Sequence, residues 1–569
     1  MAAARRQIAL AALRAVATEC LAVAAGFSDE QAATGMTIID ELRALFQRLA
    51  AASSAVPESA VELAQPPELL SDVPRELQSF ILSQLDTRDL ACLAATCRLL
   101  WYGAPSPPPP LPPTPGLVET ELRRRAEARG LHIVSSLPEG ALSWVTYLLK
   151  RDLRNALRRE SPLAVGDLYG GSPHSLFVDR EGRLHLACLR LQIKAGMVGE
   201  PLLGHDWGSA AGASTGSVPL TLVPSMQDKR IVSVASGFRH FLALSAEGEV
   251  YSWGDGSCGA LGHADGSASA GPRRIETLAH IESISAGNEH TSAAVDDRGR
   301  LFTWGRGALE GFYLPAGLGY KLDPETMLQL TPKIVDALSH DRVVCVALGW
   351  GFTLAVTDAG AVFSFGYSQH GALGHGSLET EILPRRIETL AETGWRFVAV
   401  AAGTAHALAL TEEGQVYGWG DRKANGYGLD QYTPQLVTAF TLAGQRVALV
   451  YAQGTSSCAV TEEGEFYTWG DGYLSRYHLG HEVNALQLTP KRVEALSRIK
   501  VAAAAISDSH CLVAGEDSVV WAFGQYAALG LCEADAPPRD SEDEDSEDED
   551  EGWVVEPTPI PNLRVRTLP

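Results

Sequence analysis

No Cys-x-x-Cys pair occurs in this 569-residue chain, and its nine cysteines are scattered. An odd, unclustered set argues against a zinc ribbon, a thioredoxin-type redox pair or a disulfide framework. It fits a reducing compartment, cytoplasmic and/or nuclear. No run of about 18 apolar residues exists, so no membrane span is expected. Basic charge is scarce: 46 Lys and Arg stand against 69 Asp and Glu, a formal net charge of −23. Ten of those acids fall in Asp540–Glu551, and without them the chain is still acidic. That balance speaks against nonspecific attachment to nucleic acid. No Cys/His or Ser/His/Asp arrangement has the spacing of a known catalytic family, so a non-catalytic binding protein is expected, with no cofactor and no metal.

Glycine, by contrast, is abundant at 55 residues, and hydrophobic residues make up 46% of the chain. Together they point to a packed protein with many tight turns, mainly β, over most of its length. The N-terminal part reads differently. Residues 1–50 have helical spacing, with Met36, Ile39, Leu42, Phe46 and Leu49 on one face and a capping box at Ser28 and Gln31. Arg5, Arg6 and Arg14 precede the first acid, which keeps an organelle transit peptide open beside the plain amphipathic helix. Residues 66–103 hold three short helical patterns. Residues 104–117 form a proline-rich linker, stiff because each ring fixes φ, and Pro107 to Pro110 has PxxP spacing. Residues 118–160 form a basic helical connector that carries Arg123–Arg125 and Arg158–Arg159.

From residue 161 to 569 one unit recurs seven times. It opens at Gly171, Gly237, Gly287, Gly349, Gly403, Gly454 and Ser507. Three residues on stand His174, His240, His290, His406 and His510, with Phe352 and Ser457 in the remaining two units. An aromatic residue followed by glycine comes next, at Trp253, Trp304, Phe365, Trp419, Trp469 and Phe523. Leu-Gly follows at Leu203, Leu261, Leu318, Leu373, Leu479 and Leu529, with Tyr427-Gly428 in the fifth unit. A proline with an apolar residue three positions later closes each unit, from Pro219 to Pro557. Each unit has room for four short strands, which alone would expose an apolar face and two edges. Stacking the units around a ring buries those faces, with Trp and Phe as wedges between sheets. The histidines occur once per unit and so cannot converge on a metal; a structural hydrogen bond is expected of them. Leu563-Arg-Val565 reads as the start of an eighth unit, expected to pair into the first and seal the ring.

These residues resemble the regulator of chromosome condensation repeat family, which implies a seven-bladed β-propeller. The ultraviolet photoreceptors of plants share that fold, but their repeated Gly-Trp-x-His motif has only the partial match Gly349-Trp350-Gly-Phe352 here, so that role is set aside.

In the helical part, Val73, Pro74, Leu77, Ile81, Leu82, Leu85, Leu90 and Cys97 resemble the F-box. That family docks on the Skp adaptor of a cullin–RING ubiquitin ligase, so the resemblance gives these eight residues the docking contact. A segment of about 33 residues buries little surface alone and needs a partner, in this chain or another. Residues 533–556 are expected to form a disordered acidic insert in the last blade, with Ser541 and Ser546 as candidate phosphorylation sites because each has an acid three residues on. The expectation is a substrate-recognition adaptor of an SCF-type ligase, the propeller holding an unknown target protein. Two alternatives stay open: a guanine-nucleotide exchange factor for a Ran-like small GTPase, and a scaffold with no ligase.

Overall fold

The computed structural model describes residues 123–124, 161–168, 172–189, 217–525 with six short breaks, 553–565 and 567. The F-box-like residues, the linker, Ser541 and Ser546 lie outside them, and of the basic connector only Arg123 and Arg124 are described, both helical. The chain divides into two compact units, residues 1–156 and 157–569.

The second unit is a seven-bladed β-propeller. Seven four-stranded antiparallel sheets follow one another along the chain. Their inner strands are Leu163–Leu168, Ile231–Ser236, Ile281–Ala286, Val343–Leu348, Phe397–Ala402, Val447–Gln453 and Val501–Ile506. Each sheet runs outward from its inner strand to an outer strand such as Ser269–Arg274 or Glu381–Arg386. The wedges are as expected: Trp253, Trp304, Trp419, Trp469, Phe365 and Phe523 are fully buried between neighbouring blades. Burying each is worth about 1.5–3 kcal/mol. The prolines lie inside the outer strands, not at their start. Pro272 and Pro384 fall where the ladder register shifts, between Ser252 and Gly254 and between Ser364 and Gly366. A residue with no N–H costs nothing there, because among the described residues that edge has no strand beside it.

The ring closes through the C-terminus. In blades one to six a backbone N–H at the start of the next inner strand, for instance Val343 or Val447, donates to the glycine carbonyl of the preceding hairpin, Gly299 or Gly414. Blade seven has no successor. Val565 takes that place, its N–H donating to Ser518 O at 3.1 Å while it forms an antiparallel bridge to Asp179 of blade one. Arg564 O accepts from Arg180 N, as Arg342 O and Arg396 O accept from Asp358 and Glu412. Residues 562–565 therefore begin the inner strand that residues 163–168 continue.

The opening glycine has a steric cause. A methyl group at residue 403 would lie 2.1 Å from His406 Cε1, and one at residue 349 would lie 2.1 Å from Phe352 Cε1. The ring three residues on lies against the bare Cα. Gly403→Ala is expected to displace His406 and destabilise the ring by about 2–4 kcal/mol, read as a lower melting temperature.

Candidate binding surfaces of the ring

The histidines are joints between blades. His240 Nε2 lies 2.8 Å from Ser292 Oγ of the next blade, His406 Nε2 lies 2.7 Å from Ser457 Oγ, and His510 Nε2 lies 2.9 Å from Ser175 Oγ across the closing seam. His174 reaches Ser236 and packs edge-on against Phe241. Two joints fix the proton. Ser292 and Ser457 each give their one hydroxyl proton to a carbonyl, Ala260 O at 2.9 Å and Ala424 O at 3.0 Å. The imidazole must then be the donor, carrying its proton on Nε2. The same carbonyls accept the indole N–H of Trp304 and Trp469, both at 2.8 Å. A joint thus ties histidine, hydroxyl, carbonyl and tryptophan across two blades. Burial alone pushes His406 down to about 3, and burial leads the lowering of His240 and His510 to the same value, so all three are neutral.

The joints correct three sequence alignments. In blade six Ser456, not Ser457, pairs with Gly470 as His406 pairs with Gly420, and its hydroxyl bonds His478 at 2.7 Å. In blade three Thr291 fills the register position opposite Gly305, while His290 stands one residue earlier with φ 55°. In blade five the Leu-Gly place belongs to Asn425-Gly426, not Tyr427-Gly428. A methyl group on Gly426 would lie 3.3 Å from Trp469 Nε1, matching Gly374 against Trp419 at 3.0 Å. Where blade four has Phe352 for histidine, blade five has Ala407 for the acceptor serine; both are buried, so an apolar pair replaces a polar one.

Three surfaces can meet a partner. The inner strands enclose a channel of about 230 Å³ lined, among the described residues, by uncharged side chains that include Ser233, Ser285, Cys345, Ala401 and Gln453. At the turn-bearing face, half-buried Trp350 and Tyr367 meet edge to face with centroids 5.8 Å apart. Around the outside, every large apolar side chain exposed among the described residues belongs to blades four to six or their connections. No cluster of three His, Cys, Asp or Glu side chains suited to a metal occurs among the described residues.

Two models of the regulator of chromosome condensation (RCC1) repeat match within these blades, one over residues 247–294, 359–410 and 463–514, the other over 231–260 and 397–428. Over these residues the ring matches the RCC1 repeat. The chain is 36% identical over 219 residues to the ultraviolet-B receptor UVR8 of Arabidopsis thaliana, covering 37% of this chain and 47% of the receptor. It is 42% identical over 229 residues to the E3 ubiquitin-protein ligase HERC2 of Homo sapiens, covering 39% of this chain and 4% of the ligase. The chain thus spans less than half the length of either relative. A solved structure of yeast RCC1 (Prp20) bound to Kap60 superposes with a TM-score of 0.49 at 22% identity, over 60% of this chain and 78% of that one.

Proposed function

We propose that the chain is a substrate-recognition adaptor of an SCF-type cullin–RING ubiquitin ligase. Its F-box-like segment would hold the Skp adaptor, and its RCC1-repeat ring would hold the target protein. One observation carries the reading: the ring takes every strand of its seven blades from residues 163–564 and closes its seam with Val565. The Val73–Cys97 pattern is therefore not spent on completing a blade. Its apolar residues, Leu77, Ile81, Leu82, Leu85 and Leu90, need a surface to cover them, and the F-box resemblance gives that surface a chemistry. A ubiquitin ligase with similar repeats, HERC2, supports the same setting for the ring. The adaptor does no bond chemistry itself, and its place is cytoplasmic or nuclear, where the ligase core is met.

The test is recovery of the Skp adaptor with tagged full-length chain. The double variant Leu77→Asp, Ile81→Asp is expected to lose at least about tenfold in recovery while keeping the wild-type melting temperature. Equal recovery from both proteins would refute the adaptor reading. Release of labelled GDP from a Ran-like GTPase, measured in parallel, is expected to be unaffected by the chain.

A further inference from the structure

Scattered apolar side chains on a protein surface are ordinary; a contiguous group is not. On the outer margin where blades four and five meet, Leu378 is 56% exposed, Ile382 39%, Leu383 50% and Tyr432 44%. The two margins abut here. Gly376 N–H of blade four donates to Tyr432 O of blade five at 2.8 Å, and the Tyr432 ring lies against Gly371. No described apolar residue of this size is exposed on blades one, two, three or seven.

Beside this strip stands a cation missing its acid. In blade two Arg274, opposite Tyr251, is met by Glu249 at 3.0 Å. In blade six Arg492, opposite Tyr467, is met by Glu465 at 3.1 Å. Both acids occupy one position, the residue whose carbonyl accepts from the last residue of the second strand. In blade four that position is Ala361, and the cation opposite Phe363 is Arg386. Arg386 is exposed and makes no ion pair with any described residue, while the acid on its own strand, Glu381, is taken by Arg385 at 2.6 Å. The strand that carries Ile382, Leu383 and Arg386 is also an edge, with no strand on its outer side among the described residues. An edge offers backbone groups to an extended chain.

We propose that this strip docks an extended segment of the target protein, which lays apolar side chains over Leu378, Ile382, Leu383 and Tyr432 and places an aspartate or glutamate on Arg386. The partner supplies the carboxylate that Ala361 does not. The proposal rests on the reading of the ring as the target-binding part and names its surface; it does not depend on the F-box-like segment.

The test is selection of a displayed library of random peptides, about twelve residues long, on the full chain. Enriched peptides are expected to combine apolar residues with Asp or Glu. Leu383→Asp should weaken the enriched peptides at least about tenfold. Arg386→Glu should reverse the preference, so that the same peptides with Lys in place of the acid bind the variant better than the wild type. Because both side chains are exposed, neither change should move the melting temperature. No enrichment, or enrichment of peptides that bind wild type and both variants alike, would overturn the proposal. Skp recovery, measured on the same variants, should stay at the wild-type level. A failed Skp result with an intact charge reversal would remove the adaptor reading and leave the strip; the opposite pattern would remove the strip alone.

Discussion

Lowering the pH from 7 to about 4 is expected to unfold the ring, with most of the loss falling below about pH 6.5. His240, His406 and His510 are fully buried and held down to about 3, against 6.5 for an exposed histidine. Below 6.5 the unfolded chain takes up a proton at each of these sites and the folded ring does not, so acid favours unfolding. Their contribution is complete above the unfolded value and drains away until the pH reaches the folded value. Each site costs about 1.4 kcal/mol per pH unit in that window, so three cost about 4 kcal/mol per unit. By about pH 4 the loss is near 10 kcal/mol, comparable to the whole stability of an ordinary domain. His375 and His481, both lowered to about 4 chiefly by burial, act in the same direction. The chain supplies its own control. Copying the apolar joint Phe352/Ala407 into the next seam, as His406→Phe with Ser457→Ala, removes one of the three sites. Stability followed by denaturant unfolding from pH 7 to pH 4 should fall less steeply by about 1.4 kcal/mol per pH unit below pH 6.5; an unchanged slope would mean that the joints do not carry the acid sensitivity.

Removing Asn562–Pro569 is expected to lower the melting temperature by about 5–10 °C. The truncation exposes the seam by deleting Leu563 and Val565, which are 2% and 0% exposed. It also removes the backbone bonds of Arg564 and Val565 and the contact of Thr567 with the Ser518 hydroxyl at 2.9 Å. Two buried aliphatic side chains at about 1.5–3 kcal/mol each, with about 1 kcal/mol for each of these three hydrogen bonds, give about 6–9 kcal/mol. A ring of roughly 400 residues loses about 1 °C per kcal/mol by the usual scaling of unfolding entropy with length. Calorimetry of the full chain and the truncated chain checks this. Coincident transitions would show that the terminal residues do not close the ring.

Most of the propeller was legible in the sequence because its repeat is enforced by contacts that tolerate few residue types. Glycine must stand where a ring lies on the backbone, as at Gly403, and an aromatic must fill each seam, as at Trp419. Even the closing role of Leu563-Arg-Val565 could be read, since it copies the residues that open an ordinary blade. The alignment slipped where a blade changed its turn. Blade six reaches its strand two residues after Gly454 rather than three, so the hydroxyl that matched the histidine by count was Ser457 and by register is Ser456. Asn425-Gly426 is hidden from the pattern because leucine is the usual partner of that glycine, although the close approach of Trp469 requires only the glycine. The pairing of Phe352 with Ala407 and of Arg386 with Ala361 was present in the letters. Each pair, however, joins residues on different blades or strands, and only the register shows that one substitution answers or orphans the other. The eight F-box-like residues and the two serines of the acidic insert rest on sequence alone.

The proposed adaptor needs two separate holds, one on a ligase core and one on a target. The most direct measurement is titration of purified full-length chain with purified Skp adaptor, by calorimetry with gel filtration of the mixture. A one-to-one complex with a dissociation constant below about 1 μM is the expected result. Separate elution and no heat of binding, from a chain whose ring still melts as a folded protein, would contradict it.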